Sequence, residues 1–293
     1  MTLLLLVLVV LMLGTRSSGM PQQPNNPSAG SWEVLKSSSD RDALEQAASS
    51  LARSKNASDL TLLGQLLRDA KFLARLDDST HSAMPHFSRV MDALAEHPDS
   101  RTADLCLILA DDLLYQDDAR LSPLLDVLAA VKPMSARTAA LFQRTNQEGY
   151  FGYNARLLAA NGSPVALKLF ESMILDKGVP TENRVECLHI SVVPNRMKVP
   201  ILDVADRILS RTSEPAIAKG VIESVFDFRQ QWYGIESGIS APPPWTEAPA
   251  DSLRAALHLA EKAEARPGLN PSLRKKVGIQ RETIAQALNT RSK

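Results

Sequence analysis

The sequence predicts an all-α chain of stacked helical hairpins, and three observations carry that prediction. Pro85, Pro123, Pro164 and Pro200 recur at spacings of 38, 41 and 36 residues, each leading into an apolar run such as LLDVLAAV or ALKLFESMI. A period near forty belongs to units that cannot bury their apolar faces alone and must pack on their neighbours. Apolar residues also recur at three-to-four spacing, as at Leu60, Leu63, Leu66, Leu67, Ala70 and Leu73, giving a helical stripe that must face something. Finally, Ser122-Pro123 and Ser163-Pro164 each set a hydroxyl N-cap before a proline at the first helical position, where a missing N–H costs nothing.

The N-terminus comes first in order. Residues 2–13, TLLLLVLVVLML, are apolar and are followed by the small and polar GTRSSG. A membrane-crossing helix needs about twenty apolar residues, so this shorter stretch reads as the core of a secretory signal. Ser17 and Gly19 suit cleavage after Gly19, leaving a mature chain that begins at Met20, is exported to a periplasmic or extracellular space, and keeps no membrane span. No Lys or Arg precedes the apolar run, and an uncleaved anchor is the competing reading. Residues 20–38 are rich in Pro, Asn, Gln and Ser and read as a flexible lead-in.

From residue 39 to 293 the texture is helical. ALEQAASSLARS and DLTLLGQLLRDAKFLARL open it; Ile201, Leu202, Val204, Ala205, Ile208 and Leu209 give a wide stripe later, and Leu253, Ala256, Leu257 and Ala260 give the last. Each proline-led helix is followed by a polar break and a second helix, as in HPDSRTADLCLILADDLL, KPMSARTAALFQR and VPTENRVECLHIS. Arg101, Arg137 and Arg184 stand near the starts of these second helices, where their stems can lie along apolar surface while their heads bond loop carbonyls of the next unit. Leu169 and Leu202 are expected to sit between layers.

A recurring proline and arginine at this period resembles the HEAT family of α-solenoid repeats, over residues 39–293. The resemblance implies a right-handed α-solenoid of about six hairpins, with second helices lining a concave surface that usually binds protein partners. Two stretches break the rhythm: QEGYFGYNARLL, with glycines at 149 and 152, and the segment 230–249, whose prolines 242 to 244 forbid a helix. Insertions in repeat arrays gather on one face, often the binding face.

Those breaks hold the candidate partner-binding residues, Tyr150, Phe151, Tyr153, Trp232, Tyr233 and Trp245, because Trp and Tyr offer large contact area at low entropic cost. Core packing is the plainer reading for Phe226, Phe228 and Trp232. Enzyme signals are weak: no HExxH, G-x-S-x-G, phosphate-binding glycine loop or CxxC occurs, so no catalytic, cofactor-binding or metal residue is expected. Glu186 and His189 share one Glu-x-x-His spacing, and di-iron bundles need it twice. An enzyme on a helical-toroid scaffold, acting on carbohydrate, remains the rival class, with Glu223, Asp227 and Glu236 as its carboxylates.

Removing residues 1–19 leaves 32 basic against 33 acidic residues, a balance that excludes a general nucleic-acid binder. Charge is uneven all the same. Asp92 to Asp126 holds nine acids and two bases, and Asp251 to Lys293 nine bases and four acids, so the ends could steer partners or simply be solvated. Cys106 and Cys187 fall in helices two repeats apart, roughly 20 Å at the usual helix spacing, too far for a disulfide and suited to buried free thiols. Asn56 and Asn161 match the glycosylation acceptor pattern.

Overall fold

The computed structural model describes residues 29–291 apart from 55, 78–83, 117 and 227–243. The signal segment, Trp232, Tyr233, Asp227, Phe228 and Glu236 lie outside the described residues. What is described is all helix, without a strand among the described residues.

In chain order the helices are α1 (Ala29–Ser37), α2 (Arg41–Arg53), α3 (Ala57–Leu67), α4 (Ala70–Leu76), α5 (Pro85–Ala95), α6 (Ser100–Ala110), α7 (Asp118–Ala130) and α8 (Ala136–Thr145). Then follow α9 (Phe151–Asn161), α10 (Pro164–Leu175), α11 (Thr181–Val192), α12 (Val199–Arg211), α13 (Pro215–Phe226), α14 (Ala250–Ala265) and α15 (Pro271–Arg291). Side-chain caps explain several starts: Asp40, Asn56, Asp69, Asp99 and Ser135 each accept from a backbone N–H in the first turn that follows.

The helices form two packed rows. One row runs α2, α5, α7, α9, α11, α13, α15, and the other α3, α6, α8, α10, α12, α14, each helix resting on the next in its row. From α5 onward the chain alternates between rows. This arrangement is compatible with a helical repeat fold. Buried apolar side chains form one continuous core from Leu35 to Ala287 between the rows. The lead-in is shorter than the sequence suggests, because α1 is helical and buries Leu35 against that core while packing on α2.

The proline period hides a change of phase. Pro85 and Pro164 stand at helix starts and Pro200 within the first two positions of α12, whereas Pro123 lies inside α7, five residues after Asp118. Ser122 is therefore not an N-cap. Ser163 sits at the cap position of α10 without capping it, since its hydroxyl instead accepts from the Met134 N–H at 3.3 Å. Three helices rather than two fit between Pro123 and Pro164, because QEGYFGYNARLL contains the start of α9. The four periodic prolines consequently fall on first-row helices before that point (α5, α7) and on second-row helices after it (α10, α12). The helices that follow them do not line a single face.

The three arginines divide accordingly. Arg101 bonds Asp99 and Arg137 reaches Asp104 at 3.7 Å, both on exposed stems of the second row. Of the three, only Arg184, on α11 of the first row, is buried. Its guanidinium donates to the Ile174 and Val179 carbonyls, to Thr181 Oγ1, and to both Glu214 carboxylate oxygens. Loop carbonyls elsewhere are met by Arg75, which bonds those of Leu35, Lys36 and Ser38, and by Arg266, which bonds those of Leu209 and Thr212.

Leu202 is buried between layers as expected, while Leu169 is half-buried and the interlayer positions of α10 are Leu167 and Phe170. Both cysteines are buried free thiols, and burial pushes each up to about 12, so neither is reactive. Asn161 is buried, and its Nδ2, the atom a glycan would use, donates to the Ala129 and Val131 carbonyls at 2.7 and 2.9 Å. The folded chain has no place for a glycan there.

Candidate functional site

The break at 146–150 is where the geometry is most unusual. Asn146–Tyr150 forms a wide turn joining α8 to α9, and Gly149 adopts φ 102°, a region that costs glycine nothing and an L side chain a good deal. The turn is held from behind by the buried Asn154. Its Nδ2 lies 3.1 Å from the Phe142 carbonyl, 2.8 Å from Thr145 Oγ1 and 2.7 Å from Asn146 Oδ1, so the backbone acceptor left open at the end of α8 is satisfied. Thr145 Oγ1 in turn donates back to the Leu141 carbonyl at 3.1 Å.

Two cavities flank this turn. One, of about 340 Å³, is lined by Asp111, Tyr115, Gln116, Arg144, Glu148 and Tyr150 among others. The other, of about 760 Å³, opens between α8 and α10, with Phe151, Leu169, Met173, Leu175 and Val179 as its apolar wall. Three carboxamides, Gln143, Asn146 and Gln147, stand at its edge with Ser172, Asp176 and Arg211. A third hollow of about 410 Å³ lies farther along the same row, between α3 and α6. All three adjoin second-row helices.

Tyr150 thus reaches one cavity and Phe151 the other, while Tyr153 is committed to structure. Its hydroxyl donates to Asp126 Oδ2 at 2.6 Å and to the Ser122 carbonyl at 3.3 Å, and the Arg156 guanidinium lies 5.2 Å from its ring. Burial raises both the Tyr153 phenol and the Asp126 carboxyl above their ordinary ranges. Tyr150 meets Tyr153 edge-on, with centroids 6.3 Å apart.

Trp245 is a core residue, 2% exposed. Its ring lies 6.5 Å from that of Phe226 and 4.6 Å from the Arg196 guanidinium, which donates to the Val225 carbonyl and is pushed down to about 10 by burial. The structure therefore joins Tyr150 and Phe151 at one place and sets Trp245 apart from them, inside the fold. Of the three carboxylates of the enzyme reading, only Glu223 is described; it is buried on α13 with Lys219 Nζ 3.7 Å away. His189 is likewise a core histidine, its Nδ1 2.8 Å from Ser224 Oγ, while Glu186 is exposed.

One grouping has no signal in the sequence. Asp42, Glu45 and His86, the last 41 residues beyond Glu45, bring three potential ligand atoms within 4.8 Å of one another. His86 Nδ1 is 2.9 Å and Arg89 Nη1 2.8 Å from Glu45 Oε2, so the carboxylate already has a cation and the cluster ties α2 to α5 as an ion-pair network. The acidic stretch from Asp92 to Asp126 is also partly answered from neighbouring elements, with Asp111 paired to Arg144 and Asp112 to Arg68. Gln143, Gln147, Leu169 and Leu175 complete the large cavity without standing out by pattern, since polar and apolar residues alternate there as on any half-exposed helix face.

No protein-family model, curated protein or solved structure matches this chain.

Proposed function

We propose that this protein is an exported, non-catalytic scaffold that binds a protein partner, built as a right-handed HEAT-like α-solenoid of about six hairpins. The supporting observation is the pair of cavities around the Asn146–Tyr150 turn, which offer apolar wall and hydrogen-bonding edge together on one row of helices. A mixed lining of this kind suits a polypeptide segment, whose apolar side chains fill pockets while carboxamides answer its backbone groups. The missing nucleophile, metal and phosphate motifs and the near-zero charge fit the same reading, and the N-terminal apolar stretch supports export.

The test is affinity capture with the secreted protein, whose first residue, read by mass, is expected to be Met20. Leu169→Glu combined with Gln147→Glu alters the wall and edge of the large cavity at positions outside the core. The double variant is expected to melt within a few degrees of wild type and to lose the captured partner at least tenfold. Equal capture by both proteins would refute the site, and a chain retaining residues 1–19 would refute the cleaved signal.

A further inference from the structure

Leu113 is 81% exposed, the largest exposure of a large apolar side chain among the described residues. It stands in a single 3-10 turn, Leu113–Tyr115, directly after α6. That turn is anchored. Tyr115 is fully buried, lies 5.7 Å from the Phe87 ring and donates its hydroxyl to the Leu67 carbonyl at 2.6 Å. Asp112 accepts from the Leu114 N–H at 3.1 Å, and its second oxygen meets Arg68 Nε at 3.4 Å. Leu113 is thus held outward, since turning it in would draw Tyr115 out of the core.

The Arg68 contact places this knob at one end of the hollow between α3 and α6. That groove, about 410 Å³, has walls of Leu60, Leu105 and Ile108, the last itself 49% exposed. Gly64 leaves room on its floor for the Leu105 side chain, whose Cδ1 would lie 2.9 Å from a Cβ at that position. Arg68, Arg101 and Asp104 are its charged lining residues, whereas the knob follows Asp111 and Asp112.

We propose that this patch is a two-fold interface between two copies of the chain, with Leu113 of each copy seated in the α3–α6 groove of the other. An isologous contact requires one patch to carry both members of a complementary pair. Here it carries an apolar knob that follows two aspartates and an apolar groove lined by two arginines and by one aspartate, Asp104, which faces Arg137 at 3.7 Å. Crossing the two places Asp111 of one copy against Arg68 and Arg101 of the other. Within the chain Arg144 pairs with Asp111 and Arg101 with Asp99, exposed pairs whose exchange costs little, while Arg68 keeps its anchoring contact to Asp112 and offers its remaining N–H groups to the other copy. The interface lies at the α3–α6 end of the second row; it takes Asp111 from the lining of the smaller cavity and shares no lining residue with the larger one, so the dimer and binding at the larger cavity can be tested separately.

Sedimentation velocity on the purified protein over a hundredfold concentration range tests this. Wild type is expected to shift from monomer to dimer, and Leu113→Asp to remain monomeric throughout while melting as wild type does. Ile108→Asp, on the groove wall, is expected to weaken the dimer at least tenfold. Wild type that is monomeric at every concentration overturns the proposal, and so does a dimer that both substitutions leave intact.

Discussion

Leu202→Ala is expected to lower the unfolding free energy by about 2–5 kcal/mol. Leu202 is 1% exposed on α12, a second-row helix that packs on α10, α13 and α14, so truncation removes apolar contact in a place hemmed in by rigid neighbours. Partial collapse around the void limits the cost, and the close packing of a helix layer limits the collapse. Leu169→Ala is the contrast. Half-buried at the mouth of the large cavity, it leaves space that solvent already reaches, and a loss near 1 kcal/mol or less is expected. Chemical denaturation of both variants measures the difference. Equal losses at the two positions would mean that the layers are wrongly placed.

Arg184→Met is expected to be the second large effect, at about 2–4 kcal/mol, because it strips donors from the buried Ile174 carbonyl and from that of Val179 while keeping apolar volume. The same variant changes the response to acid. The Arg184 hydrogen bonds hold the Glu214 carboxyl below its usual value. A carboxylate depressed in the folded state contributes stability above its unfolded value near 4.5 and loses it as the pH falls through the lower folded value. Wild type should therefore lose melting temperature below about pH 4.5 more steeply than Arg184→Met, and the gap between them should narrow. Thermal melts between about pH 3 and 7 measure it, and parallel curves would show that the Glu214 contact does not matter to folding.

Much of the fold is readable in the residues themselves, and the limits have physical causes. Pro85 and Pro164 mark true helix starts, and Leu60, Leu63 and Leu67 give a buried stripe, since both signals are local. Ala70 falls off that stripe because Arg68 and Asp69 end α3 and a separate short helix begins, while Leu66, still inside α3, is half-buried against the core. The helix α9 is hidden by its glycines. Gly149 does break the chain, but Gly152 lies inside α9, where a Cβ would meet only Ile190 Cδ1 within 4 Å, at 3.8 Å, and tertiary packing overrides its poor propensity. Without that helix the rows are assigned in reverse for everything after it, including which arginine is buried.

The site is legible in part for the same reason. Tyr150 and Phe151 are conspicuous as aromatic residues in a glycine-flanked break, and they do reach the two cavities. Tyr153 and Trp245 share their chemistry, yet one is spent on Asp126 and the other on Phe226 and Arg196, partners that lie far off along the chain. Composition does not carry that information. Gln143 and Gln147 become interesting only once α10 is known to lie opposite them.

Whether a partner is bound over the second row at the Asn146–Tyr150 turn is tested most directly by site-specific photo-crosslinking. A benzophenone side chain placed at Gln147 faces the large cavity, and one placed at Glu186, exposed on α11 of the first row, serves as the control. The expected result is a covalent adduct with the partner from Gln147 and none from Glu186. An adduct from Glu186 without one from Gln147 would contradict binding at this turn.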